Sequence, residues 1–293
     1  MRESSFVNAD ARARFEAWAA KVRARSSTPW VTRSVDTELG PTHVMSSSAD
    51  DLAKPAMVCL PGFGTCGAFW DLDDALARWA EAYRVHVVDV VGQPGHSSGR
   101  CPAIRGPGYG RWLVEVLDNL QIDRATVVGA SFGGSLIAHL AEQAPERVAQ
   151  SVFLAPAGFI PVRPSPGALL AMLAALWLPS PRRSERMLEL VVEGQDVPEP
   201  ARADLLEVLT LFHAGFRPRA QAPIVMPASS FAKLTGPSHV LIGAHDRLID
   251  PPALIARARE VLPDLRHAEI LPNHGHGLEI SRIVVERVRG WLS

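Results

Sequence analysis

The chain has 293 residues, 47% of them hydrophobic, which is enough to bury a large core in one domain, with room for an insertion. Its 30 basic side chains nearly cancel 31 acidic ones, leaving a formal charge of −1 and none of the basic field that nucleic-acid binding needs. Cys59, Cys66 and Cys101 form no CxxC or Cys/His cluster, so neither a disulfide framework, a metal site nor a cofactor is expected.

Residues 1–30 read as an N-terminal helical extension. Phe6, Val7, Phe15, Trp18 and Val22 predict an amphipathic helix lying on the body. Arg2, Glu3, Asp10, Arg12 and Arg14 precede any apolar run, unlike a secretory signal. The longest apolar stretch, 168–178, falls short of the roughly 20 residues a bilayer takes. A cytoplasmic protein with no membrane span is therefore expected.

Residues 31–38 and 43–48 flank Leu39-Gly40-Pro41 and predict an opening hairpin. Strand-like and helix-like runs then alternate: 56–60 strand, 68–82 helix, 84–89 strand, 109–120 helix, 125–129 strand, 132–143 helix and 148–154 strand. Repeated βα units imply an α/β fold, its mostly parallel sheet covered by helices on both faces, with reactive groups beyond the carboxyl ends of the strands. The pattern breaks at Pro156. Residues 157–231 are rich in proline and helical spacing (168–178, 184–192 and 201–212), and they predict a helical insertion. Strand and helix patterns resume at 239–242, 252–262, 267–271 and 280–292, so the core comprises 31–156 and 232–293.

Gly129-Ala130-Ser131-Phe132-Gly133 is a G-x-S-x-G motif between a predicted strand and a predicted helix, the setting of a nucleophile elbow. A seryl alcohol is a poor nucleophile at neutral pH, so Ser131 needs a base and the base an orienting acid. Each is expected at the end of a later strand. Gly243-Ala244-His245-Asp246 supplies Asp246, with Asp250 as its competitor and a helix cap before Pro251 as the alternative role of Asp250. Asn273-His274-Gly275-His276-Gly277 supplies His276, with His274 as its competitor. Upstream, Leu60-Pro61-Gly62-Phe63-Gly64 follows the first core strand; the backbone N–H groups of Phe63 and Phe132 are the expected oxyanion donors.

These motifs, with residues 89–97 (Asp-Val-Val-Gly-Gln-Pro-Gly-His-Ser), resemble the α/β-hydrolase family over nearly the whole chain from Val31 to Leu292. Residues 109–157 look most like small bacterial carboxylesterases. The chain departs from the family in Pro61, where many members carry histidine, and in His96, where glycine is usual.

The resemblance implies a serine hydrolase cleaving a carboxylic ester of a small, largely apolar substrate through an acyl-enzyme on Ser131. It also implies that the insertion is a lid, with Gly62, Trp177, Phe212 and Phe216 as substrate-binding candidates beside Leu170, Met172, Leu173 and Leu209. Thioester hydrolysis, C–C bond hydrolysis and a lyase or cyclase step remain open on the same triad, as does a non-catalytic ligand-binding role.

Overall fold

The computed structural model describes residues 5–47, 51–216 and 221–292. Arg2, Glu3 and the predicted strand end at Ser48 lie outside them. Helix α1 (Ala9–Arg25) starts where the Asn8 side chain accepts a hydrogen bond from the Ala11 N–H at 2.8 Å. Strands β1 (Val31–Thr37) and β2 (Gly40–Ser46) form the expected antiparallel hairpin, turning at Gly40 with φ 99°.

The alternation continues with β3 (Ala56–Leu60), α2 (Ala77–Ala80), β4 (Arg84–Val88), α3 (Gly108–Asn119), β5 (Ala125–Ala130), α4 (Phe132–Gln143) and β6 (Val148–Leu154). Helices α5 (Pro166–Trp177), α6 (Pro181–Val191), α7 (Ala201–Gly215) and α8 (Ala228–Phe231) follow. Strand β7 (Ser238–Gly243), α9 (Pro251–Val261), β8 (Leu265–Leu271) and α10 (Arg282–Leu292) close the chain.

The eight strands form one sheet in the order β1-β2-β4-β3-β5-β6-β7-β8. Neighbours from β4 to β8 pair in parallel; β2 is antiparallel to both of its neighbours. Strands β3, β5 and β7 are buried at every residue, as expected of parallel strands with helices on both faces. None of the described helices is long and apolar enough to cross a membrane.

One predicted element breaks. The helical spacing over 68–82 resolves into a 3-10 turn (Gly67–Asp71) and the single turn of α2. Between them Asp74 adopts φ 52°, a conformation that ends a helix and that aspartate tolerates better than most residues. Its carboxylate accepts from the Ser27 N–H at 2.8 Å and the Ser26 hydroxyl at 3.2 Å, partners from the segment that follows α1.

The N-terminal extension does more than lie on the body. Phe15, Trp18 and Val22 of α1 are buried in an apolar cluster of their own with Phe69, Val208 and Phe212. Phe6 pairs with Phe216 in an isolated β-bridge, and Val7 N–H donates to Gly215 O at 2.9 Å. The Trp18 indole N–H donates to Asp204 O at 3.1 Å, and Lys21 and Arg25 pair with the buried Asp204 carboxylate. Helix α1 and the insertion are thus one packed unit.

Truncating Phe15→Ala should cost about 3 kcal/mol, the usual scale for a buried phenylalanine. It should lower the thermal midpoint and speed amide hydrogen exchange in α7. Unchanged exchange there would mean that the insertion keeps its place without α1.

Candidate active site

Strand β5 delivers Ser131 to the sheet's carboxyl edge, and α4 begins at the next residue. Ser131 has φ 47° and ψ −110°, a backbone conformation that costs about 1–3 kcal/mol and persists only when the surroundings enforce it. Here they do. Ser131 N–H donates to Leu154 O at 2.9 Å, while its own carbonyl accepts from Gly134 and Ala157 at 2.9 and 2.8 Å. A Cβ on Gly133 would lie 2.1 Å from Leu60 O, and one on Gly129 would lie 2.4 Å from the Gly133 backbone. Both positions are closed to any side chain, so the elbow is built from backbone packed on backbone.

Three loops converge on the seryl oxygen. The Ser131 hydroxyl donates to His276 Nε2 at 2.9 Å, and His276 Nδ1–H donates to Asp246 Oδ2 at 2.7 Å. The other oxygen, Asp246 Oδ1, accepts from the Leu248 and Ile249 N–H groups at 2.8 and 3.0 Å, which fixes the carboxylate's orientation. The competitors take other roles. Asp250 caps α9 by accepting from Ala253 N–H at 2.8 Å. His274 is held between Pro272 O at 2.9 Å and the Ser281 hydroxyl at 3.0 Å.

Burial alone would push the His276 pKa down. The Asp246 carboxylate, through its charge and its hydrogen bond, outweighs that, with a further contribution from Glu279, and the result is a raised pKa. Glu279 is itself buried, and burial pushes its carboxyl up.

Beside the elbow, a Cβ on Gly62 would sit 3.4 Å from Ser131 Cβ, so the loop after β3 lies against Ser131. Gly64 N–H donates to Gln93 Oε1 at 2.8 Å, and Thr65 N–H to Gly62 O at 3.3 Å. Phe63 and Phe132 meet edge to face with ring centroids 6.0 Å apart. Phe132 is the first residue of α4, so its N–H has no partner within the helix and stands at the positive end of the helix dipole.

The insertion is tied to the loops that carry Asp246 and His276. Arg163 N–H donates to Leu248 O at 2.8 Å, Ser165 N–H to Arg247 O at 2.9 Å, and Gly277 N–H to Val191 O at 2.9 Å. The Arg247 guanidinium also pairs with Glu193, one of its bonds being 2.7 Å long.

Several chamber candidates sit elsewhere than expected. Phe212 and Phe216 pack against Phe15, Phe69 and Phe6 and fill the cluster under α1. Helix α5 turns its alanines, Ala168, Ala171 and Ala175, inward, which leaves Leu170 and Leu173 exposed and Trp177 76% exposed. An all-apolar helix carries no sequence sign of which side faces in. Met172 and Leu209 are half-buried. Gln93 lies in the family-like segment 89–97 and Glu279 three residues after His276; in the structure Gln93 anchors the loop after β3, and the Glu279 charge acts on the His276 ring.

The family model described as the alpha/beta hydrolase family matches residues 57–285. The chain belongs to the alpha/beta hydrolase family. It is 29% identical over 261 residues to the uncharacterized carboxylesterase nap of Bacillus subtilis, covering 87% of this chain and 84% of that one. It is 27% identical to carboxylesterase YbfK of the same organism over 269 residues, 88% of this chain and 86% of that one. Among solved structures, naproxen esterase from Bacillus subtilis superposes with a TM-score of 0.83 at 25% identity, covering 98% of this chain and 99% of that one.

In an NMR titration the His276 ring should titrate above the ordinary imidazole value of about 6.5. Glu279→Gln should move that midpoint down by removing a nearby negative charge. A midpoint unmoved by the substitution would mean that the Glu279 charge does not reach the ring.

Proposed function

We propose that the protein is a serine esterase that hydrolyses a carboxylic ester of a small, largely apolar substrate through an acyl-enzyme on Ser131. The observation that carries this reading is the continuous chain from Ser131 Oγ through His276 to Asp246, with contacts of 2.9 and 2.7 Å, anchored on a nucleophile in a strained turn.

His276 takes the seryl proton as Oγ attacks the carbonyl carbon, and the imidazolium that forms is stabilised by Asp246. The negative charge that develops on the carbonyl oxygen is met by the backbone N–H groups of Phe63 and Phe132. His276 then gives the proton to the leaving alcohol. In the second half, the neutral ring takes a proton from water, the hydroxide equivalent attacks the acyl carbon, and the carboxylic acid departs with Ser131 restored. Gly62 lets substrate approach the nucleophile from the side of the loop after β3. The curated relatives named as carboxylesterases, each matched over more than four fifths of its length, support ester cleavage over other acyl chemistry.

A fluorophosphonate probe should label the native protein and not Ser131→Ala. Turnover of p-nitrophenyl esters from acetate to decanoate should fall about 10⁴- to 10⁶-fold in both Ser131→Ala and His276→Ala. Labelling without ester turnover would redirect the reading to thioester or C–C bond cleavage on the same triad, and absence of both would refute it. Because the base must be neutral, kcat/KM should rise with pH through the raised His276 pKa, so its acid limb should lie above the ordinary histidine range.

A further inference from the structure

A second group of chemically competent side chains stands apart from the triad. His43 on β2 and Asp89 and His96 from the segment after β4 each present one ligand atom, and the three atoms lie within 4.8 Å of one another. The Asp89 Oδ2 atom is 3.0 Å from His43 Nδ1 and 3.6 Å from His96 Nδ1. Ligand atoms about 2.1 Å from a tetrahedral ion stand about 3.4 Å apart, so both spacings are within about 0.4 Å of that geometry.

The carboxylate is pre-positioned. Its Oδ1 accepts from Gly67 N–H at 2.7 Å and its Oδ2 from His96 N–H at 2.9 Å, while the Asp89 carbonyl accepts from the Ser97 hydroxyl at 2.6 Å. With two backbone donors and His43 already on the carboxylate, a second imidazole turned to the same oxygen exceeds what holding the loop requires. The two rings also lie close together, centroids 4.6 Å apart and tilted 41° to each other. The Asp89 side chain is buried, whereas those of His43 and His96 are 14% and 24% exposed, so both rings reach solvent.

We propose that His43 Nδ1, His96 Nδ1 and Asp89 Oδ2 form a binding site for one divalent transition-metal ion of the zinc class. Imidazole and carboxylate together suit such ions better than magnesium or calcium, which take all-oxygen sets. Each ring coordinates as the neutral imidazole with its proton on Nε2, and the ion replaces the hydrogen bond between His43 and Asp89. The site is not part of the triad. It joins β2 to the segment after β4, reaches the loop after β3 through Gly67, and touches α1 through the ring contact of His96 with Phe15 at 5.1 Å. A bound ion therefore braces the loop that lies against the nucleophile and the seat of the N-terminal helix.

Calorimetric titration of the untagged full chain with Zn²⁺ should show one saturable equivalent, and Co²⁺ in its place should give the visible absorption of a four-coordinate ion. His43→Ala and His96→Ala should each weaken binding by about 100-fold or more. His239→Ala should leave it unchanged; this control removes one ring of the other close histidine pair, His239 and His267, whose Nδ1 atoms lie 2.9 Å apart. Should a variant fail to fold, diethylpyrocarbonate modification of the native protein, read by mass spectrometry, answers the same question: Zn²⁺ should protect both His43 and His96. Absence of a saturable equivalent, binding undiminished in either alanine variant, or protection confined to other histidines would overturn the proposal.

Discussion

Backbone packed directly on backbone at the end of β5 is the constraint on which the rest of the site depends. Ser131 can hold φ 47° only because Gly133 lies against the Leu60 carbonyl and Gly129 against Gly133, with Leu154, Gly134 and Ala157 taking up the serine's amide and carbonyl. That turn fixes the direction of the seryl oxygen, aims the start of α4 at the same point, and brings the loop after β3 into contact through Gly62. The cost of the strained residue is carried by a parallel sheet whose central strands are wholly buried, a stiff frame that has no cheap way to relax around one residue.

The histidine and its acid depend on that frame through two further strands. Asp246 follows β7 and His276 follows β8, neighbours in the sheet, so the register of one pair of strands sets the distance between the two side chains. Burial of the ring works against protonation and Asp246 works for it; the carboxylate prevails and the ring's pKa is raised. The insertion completes the arrangement by bonding its first residues to the loop that carries Asp246, and the C-terminal end of α6 to the loop that carries His276.

Helix α1 gives the insertion its footing. Aromatic rings from α1, α7 and the segment after β3 stack into an apolar cluster separate from that of the main sheet, and the buried Asp204 takes its cations from α1. His96 touches this cluster through Phe15 and the Asp89 carboxylate through its backbone amide, so the segment after β4 joins the N-terminal unit to the catalytic side of the molecule.

The sequence by itself determined the alternation of strands and helices, the mainly parallel sheet and the G-x-S-x-G turn. Runs such as Ala56–Leu60 and Ala125–Ala130 are local patterns, and G-x-S-x-G states a local steric requirement, so each is readable without knowing what lies across the fold. Asp246 could be preferred to Asp250 because Asp250-Pro251-Pro252 also reads as a helix start, the role that Asp250 takes in the structure. The tertiary structure alone decided what depended on distant partners. The 68–82 helix broke at Asp74 because residues beside α1 bind its carboxylate, and Phe212 and Phe216 went to the cluster under α1. Helix α5 turned its alanines inward, and His43 met Asp89 and His96. In each case the deciding contact joins segments far apart in the chain, and hydrophobic periodicity reports which residues seek burial without naming the surface that will bury them.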